Sequence, residues 1–437
     1  MMQAYLDAVR GMPLGRRSGR ITGVVGSSVE AAGPDVGIGE VCELVLGDGS
    51  RMQAEAVGLR PGKVVLMPYR ELRGVAVGDQ VVATGRAAGV AVGKGLLGRV
   101  VDAFGQPLDG KPVPVGQAAR PLQADPINPL TRPRIDTVLE TGVRAIDGLL
   151  PLGRGQRVGI FAGSGVGKST LLGMLAREVR ADINVIALIG ERGREVREFI
   201  ENHLGPSGLA RSVVVVATSD QPALARARAA YTATAIAEFF RESGSNVLLM
   251  MDSITRLAMA RREIGLASGE PPTARGYTPS VFAEIPALCE RCGTAPSGGS
   301  ITALYTVLVE GDDFNEPISD IVRATLDGHI MLTRELAHEG RFPAIDVLQS
   351  ASRLASELAT PDERATMAQV VELLATYERN RQMVEMGAYR AGSNAGIDRA
   401  IRLVPAIVAV LRQRVDESSG RPQALALLQR ALTEVAG

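Results

Sequence analysis

The sequence predicts a multidomain α/β chain: an N-terminal β-barrel, a central α/β domain with a parallel sheet and a phosphate-type loop, and a C-terminal α-helical domain. Three observations carry this. At 437 residues the chain is longer than one hydrophobic core supports. Its apolar residues change period along the chain: short alternating runs over 19–92, continuous runs separated by helical patterns over 157–332, and helical patterns alone after about 360. One glycine-rich segment joins the first continuous run to a helical one. The expected divisions are an arm over 1–18, the barrel over 19–92, the central domain over 93–359 and the helical domain over 360–437.

Composition narrows the function classes. The chain is 46% hydrophobic and 22% charged with zero net charge, so no bulk field recruits nucleic acid or anionic lipid. Lys63, Lys94, Lys111 and Lys168 are its lysines. A lysine kept in an arginine-rich chain suits a compact point charge that a planar guanidinium would not replace. Cys42, Cys289 and Cys292 cannot form a disulfide framework, which points to a reducing compartment. Cys289 and Cys292 form a lone CxxC in the helix-like run 285–292, without the second pair a metal site needs. The start does not read as a signal peptide, and no apolar stretch is long enough to span a membrane.

Taken in order, residues 1–18 mix Tyr5, Leu6, Val9, Met12 and Leu14 with Arg10, Arg16 and Arg17: a basic amphipathic helix suited to docking, or a frayed end. Residues 19–92 hold five or six short alternating strands with turns at 47–49 and 60–62, which read as a small barrel. Its single aromatic, Tyr69, favours a structural or ring-forming role over stacking of RNA bases. Residues 93–156, rich in Gly and Pro, read as a connector folded over the next domain, with a short helix near 141–150. Apolar runs at 158–161, 183–189, 212–217, 246–251, 301–308 and 329–332 alternate with helical patterns, notably 223–241, as in a mainly parallel sheet covered on both faces. Residues 362–378, 394–413 and 422–435 read as helices.

Chemistry gathers at the glycine-rich segment. Ala162, Gly163, Ser164, Gly165, Val166, Gly167, Lys168, Ser169 and Thr170 fit the phosphate-loop pattern, with Ala162 where the strictest form has Gly. Glycines let the backbone curl until successive N–H groups face one anion, and the following helix adds its positive end. Lys168 would reach the β- and γ-phosphates of a nucleotide, and the Ser169 hydroxyl would hold Mg²⁺. The buried run 247–251 ends in Asp252, the expected second anchor for the metal at the carboxyl edge of the sheet. Glu191 is the first acidic residue beyond the 183–189 strand, at that same edge, and is the candidate to orient an attacking water; Arg192, Arg194 and Arg197 follow it. A solvated, charged helix start is the alternative reading of this loop. Arg353, after a small-residue turn at 349–352, reads equally as an arginine finger across a subunit boundary or as a surface salt-bridge partner.

These residues carry a resemblance. The chain over roughly 20–415 resembles the ATPase family of bacterial flagellar protein export, kin of the catalytic subunits of rotary ATP synthases. The marks are residues 125–129 (Asp-Pro-Ile-Asn-Pro), 141–147, 162–170, 190–195 (Gly-Glu-Arg-Gly-Arg-Glu), 269–272 and 300–306. The resemblance implies a RecA-like core and a homohexameric ring that hydrolyses ATP with Mg²⁺ at the cytoplasmic face of the inner membrane. It implies partners too: an export regulator, stalk and gate proteins, export substrates and their chaperones, with peripheral membrane association. It makes Glu191 the catalytic carboxylate, Arg192 its nucleotide-side neighbour and Arg353 the arginine supplied to the next subunit's site. It sets Phe342 and Tyr389 on adenine. The sister family of virulence secretion ATPases is the nearest rival. Glu310-Gly-Asp-Asp313 with Asn315-Glu-Pro317, and 387–393, resemble the flagellar form more. Cys292 and the short N-terminal arm depart from the family pattern, the latter bearing on how a regulator would dock. An RNA translocase with the same core, or a non-catalytic rotary-pump subunit, are the remaining alternatives; the barrel's lack of aromatics opposes the first and Glu191 the second.

Overall fold

The computed structural model describes residues 16–309, 311, 313–314 and 316–433. The predicted arm up to residue 15, and Glu310, Asp312 and Asn315 of the flagellar-type stretch, lie outside the described residues.

Six strands form a closed barrel: β1 (Ser18–Val25), β2 (Ser28–Ala32), β3 (Glu40–Val45), β4 (Arg51–Arg60), β5 (Lys63–Pro68) and β6 (Gln80–Ala87), in the spatial order β1-β2-β5-β4-β3-β6. Pairing of Arg20 with Gln80 closes the ring, so no edge is left to pair with another chain. Alternation places Ile21, Val29, Leu44, Ala54, Leu66 and Val81 inside. Tyr69 follows β5 and is buried where the barrel meets the central domain. Its hydroxyl donates to Glu55 at 3.1 Å and accepts from Arg228 at 2.7 Å, and its ring lies 4.7 Å from Phe104. The barrel's one aromatic is therefore a joint between domains.

The central sheet contains β7 (Arg99–Asp102), β8 (Arg157–Ala162), β9 (Ile183–Ile189), β10 (Ser212–Ala217), β11 (Asn246–Asp252), β12 (Ser300–Leu308), β13 (Gly328–Leu332) and β14 (Ile345–Ser352), in the order β14-β13-β8-β12-β11-β9-β10-β7. The pairs are parallel except β13 with β14. The apolar runs read from sequence become β8 to β13. Two strands escape that reading. Val100 and Val101 of the expected connector join the sheet beside β10, and β14 occupies the stretch expected as a small-residue turn. On this edge strand Ile345 and Val347 are buried while Asp346 between them is only half-buried, and the polar residues Gln349, Ser350 and Ser352 follow, so it shows no continuous apolar run.

Both faces of the central strands are covered, which is why β8 to β12 are largely apolar. Val185, Ala187 and Ile189 of β9 pack towards α2 (Ala223–Glu242) and α3 (Ile254–Ser268). Ile186 and Leu188 face the layer of α1 (Lys168–Glu178). The chain ends in three helices, α5 (Pro361–Glu385), α6 (Ala395–Leu411) and α7 (Arg421–Thr433), which pack on one another. Thr360 starts α5 with a reciprocal capping box to Glu363. Arg421 then ties α7 to α5 and to the short helix Arg144–Leu149, donating to Glu363 at 2.9 Å and to the Asp147 carbonyl at 2.6 Å.

All three cysteines are buried free thiols. Cys292 falls just past the helix α4 (Pro279–Glu290), with its sulfur 3.2 Å from the Tyr305 hydroxyl. Among the described residues no cluster of His, Cys, Asp or Glu could hold a metal alone, and no helix is long and apolar enough to cross a membrane.

Candidate active site

The glycine-rich loop connects β8 to α1 at the carboxyl edge of the sheet. Two of its glycines are required by backbone geometry: Gly165 has φ +80° and Gly167 has φ +90°. A Cβ on Gly165 would meet nothing within 4 Å, so backbone angle rather than crowding demands glycine there. Val166 between them is buried and anchors the loop, while Ser164 is exposed. The free N–H groups of the first turn of α1 face outward from this edge, where the helix favours an anion.

Strand order brings the chemistry together. β8, β12, β11 and β9 are consecutive neighbours, so their carboxyl ends carry the loop, Thr306, Asp252 and Glu191 in a row. Asp252 pairs in register with Leu188, three residues before Glu191. The Lys168 ammonium is hydrogen-bonded to Asp252 Oδ1 and lies 3.3 Å from Glu191 Oε1. Burial opposes the lysine's charge, but Asp252 and then Glu191 outweigh it and raise its pKa. For Glu191 burial is the largest influence. Lys168 acts against it and Asp252 with it, and the carboxyl is pushed up to about 7.

The arrangement is a cation poised between two carboxylates that can release it to an arriving polyphosphate. Ser169 is exposed at the start of α1, and Thr170 faces an adjoining cavity of about 810 Å³. Phe342 borders the same cavity, 47% exposed, with its ring 3.6 Å from where a Gly167 Cβ would sit. The opposite wall is residues 412–417. Buried Gln413 holds that wall. It accepts from the Arg144 N–H at 2.8 Å and donates to the carbonyls of Gly142 at 2.7 Å and Glu417 at 2.9 Å; its own N–H donates to the Phe342 carbonyl at 2.9 Å.

Tyr389 does not line this cavity. Its hydroxyl lies 2.9 Å from Asp398 and 3.0 Å from the Asn394 carbonyl, so it is pinned within the turn between α5 and α6. Arg192 caps the next helix with its side chain 78% exposed, 3.8 Å from Glu195 rather than at Lys168.

Arg353 stands at the opposite edge of the sheet. Its N–H donates to the Asp327 carbonyl, whose own N–H donates to Arg157 at the start of β8. The length of β8, about 17 Å at 3.3 Å per residue, separates that level from the loop. The Arg353 side chain is exposed and donates to the Arg323 carbonyl at 3.1 Å.

Three residues at the site went unread in the sequence. Thr306 donates to Asp252 Oδ1 at 2.7 Å; the signal was a hydroxyl near the carboxyl end of an apolar strand. Arg256 folds its stem over Gly190, within 3.0–3.2 Å of where a Cβ would sit, and its Nε has no partner among the described residues. Gln413 offered no signal beyond a polar residue at a helix end.

Comparison with known proteins accounts for this layout. The model of the ATP synthase alpha/beta family matches twice, its beta-barrel domain over residues 21–85 and its nucleotide-binding domain over 142–352. The T3SS EscN ATPase C-terminal domain matches 359–430. The chain is 52% identical over 437 residues to the flagellum-specific ATP synthase of Bacillus subtilis, covering 100% of this chain and 99% of that one. It is 51% identical to the type 3 secretion system ATPase of Xanthomonas euvesicatoria, covering 95% and 94%. The assembled ATPase EscN of the enteropathogenic E. coli type III secretion system superposes with a TM-score of 0.91 at 46% identity, covering 95% of this chain and 100% of that one. EscN in complex with its central stalk EscO superposes with a TM-score of 0.87 at 45% identity. With barrel, phosphate loop and helical end each matched in order, the chain belongs to the ATP synthase alpha/beta family, among the flagellum-specific and type 3 secretion ATPases.

Proposed function

We propose that this chain is the ATP-hydrolysing motor of a flagellar type III protein export apparatus. One observation carries the reading most: Lys168, Asp252 and Glu191 converge on a phosphate loop, beside a cavity large enough for a nucleoside. In this reading the loop amides from Gly163 to Lys168 and the Lys168 ammonium bind the triphosphate, and Phe342 flanks the base. Released by Lys168, Glu191 draws a proton from a water whose oxygen bonds to the γ-phosphorus. The bond to the β–γ bridging oxygen breaks, leaving ADP and phosphate. Arg192 is the nucleotide-side neighbour of Glu191.

The residues fit a magnesium ion. Both hydrogen bonds that reach the Asp252 carboxylate from described residues fall on Oδ1. Oδ2 and the exposed Ser169 hydroxyl are hard oxygen donors that would hold Mg²⁺. When bound, the metal supplies charge neutralisation on the transferring phosphoryl group.

The assembled state reported for EscN supports a ring of identical subunits, proposed as a hexamer. In it the loop of one copy would be completed by Arg353 of the next. A stalk protein is the first partner expected, by analogy with the EscN–EscO complex. Regulator, gate, chaperone and export-substrate contacts at the cytoplasmic membrane face belong to the same proposal.

Phosphate release by the purified chain tests it. Lys168→Ala and Glu191→Gln should each lower turnover at least about 10²-fold in chains that still fold, as circular dichroism checks; normal hydrolysis by either sinks the site assignment. The 51% identity to a type 3 secretion ATPase keeps a second reading, a virulence secretion ATPase. Restoration of motility in a strain lacking its flagellar export ATPase favours the first; restoration of effector secretion alone favours the second.

A further inference from the structure

We infer that Thr306 is a positioning residue for the metal-anchoring carboxylate, fixing Asp252 so that Oδ2 is presented to the magnesium–nucleotide complex. The inference rests on the reading of Asp252 as a metal anchor.

Thr306 is fully buried on β12, the strand between the one that carries the phosphate loop and the one that ends in Asp252. Register places it beside Ile160 on one side, and its neighbour Tyr305 beside Met251 on the other. Its hydroxyl lies 2.7 Å from Asp252 Oδ1 and 3.3 Å from the Met251 carbonyl. A hydroxyl has one proton, and the carboxylate oxygen at the shorter distance takes it. A second hydroxyl fixes the same junction: Thr255, just beyond Asp252, accepts from the Leu308 N–H at 2.9 Å. The end of β12 and the turn after β11 are thus laced together across the site.

The contact matters most when nucleotide is bound. In the structure Asp252 Oδ1 has two partners, Thr306 and the Lys168 ammonium. A triphosphate draws Lys168 away, because the lysine cannot serve phosphate and carboxylate equally. Thr306 is then the fixed donor left on Oδ1. It cannot follow the nucleotide, since it stands on a central strand. With Oδ1 held, rotation of the carboxylate is blocked and Oδ2 stays aimed at the site edge. Partners of this kind commonly change metal affinity or activity 10- to 100-fold when removed.

The test separates metal from nucleotide. A fluorescent ADP analogue is titrated onto the full chain with and without Mg²⁺, for wild type, Thr306→Val and Thr306→Ser. Valine nearly matches threonine in shape and suits a buried strand, and a melting curve checks that the fold persists. The wild type should bind more tightly with Mg²⁺. Thr306→Val should lose about 10-fold of that metal-dependent gain, with metal-free affinity unchanged, and Thr306→Ser should recover most of it. If Thr306→Val keeps the full gain, or Thr306→Ser falls as far as Thr306→Val, the inference is overturned and only packing is at stake. If the wild type itself gains nothing from Mg²⁺, the reading of Asp252 as a metal anchor fails first.

Discussion

Lys168 Nζ lies 3.3 Å from Glu191 Oε1, so the cation meant for phosphate holds the carboxylate meant for water. The pair explains how a half-buried acid can sit in the site without nucleotide. Burial is the largest influence on Glu191 and raises its pKa to about 7 from 4.5; Lys168 opposes the rise and Asp252 adds to it. A base must be ionised to act, so kcat/KM, which reports the free enzyme, should climb through an inflection near pH 7. Glu191→Gln should lower turnover about 10²–10⁴-fold and erase that inflection. Stability runs the other way. A carboxyl whose folded pKa is raised binds more protons folded than unfolded, so the stability it contributes is present below pH 4.5 and lost as pH rises to about 7. Melting curves across that window should slope downward in wild type and less so in Glu191→Gln.

Arg353 shares a sheet level with Arg157 and not with the loop, so within one chain it cannot reach the phosphates of its own site. Arg353→Ala and Lys168→Ala chains should each be inactive alone. Mixed before ring assembly in equal amounts, about a quarter of the interfaces would join an intact loop to an intact arginine. Phosphate release should recover towards that fraction, and no recovery at any mixing ratio would reject the shared site.

The parts legible in the sequence are those written in one period. β9 and β10 occupy the spans their apolar runs predict, because strands buried on both faces are mostly apolar. The loop and Asp252 were legible for a related reason: glycine and carboxylate interrupt an apolar strand where the backbone leaves the sheet. β7 and β14 were not, since Val100-Val101 is too short a run and β14 alternates like a surface strand. Thr306 and Gln413 depend on which strands and segments become neighbours.

Phe342 and Tyr389 give opposite expectations at the cavity. Phe342 stands beside Gly167 and is half exposed, so Phe342→Ala should leave the fold intact. Loss of a stacking face should raise KM for ATP about 10-fold with little change in kcat, the signature of lost ground-state binding. Tyr389→Phe should leave KM unchanged, because its hydroxyl serves Asp398 and Asn394. Steady-state kinetics on both variants checks the pair, and equal effects would contradict this division of roles.

Glu238 of α2 and Arg291, just past α4, form a two-pronged ion pair at 2.8 and 2.7 Å, both side chains nearly inaccessible. Arg291 also donates to the Leu122 carbonyl at 2.6 Å, so the pair fastens the chain that leaves the barrel to the body of the sheet domain. Glu238→Gln leaves a buried guanidinium without a counter-charge, which costs about 3–5 kcal/mol when one partner of such a pair is removed. The exposed pair Arg414–Asp416 is the control: water already solvates both charges, so Asp416→Asn should barely move the urea midpoint. Glu238→Gln should shift the midpoint of the central-domain transition well below wild type, with turnover per folded chain kept, since the pair touches no residue of the site. If the two variants unfold at the same urea concentration, burial adds nothing to the pair and the junction must be held by its apolar contacts alone.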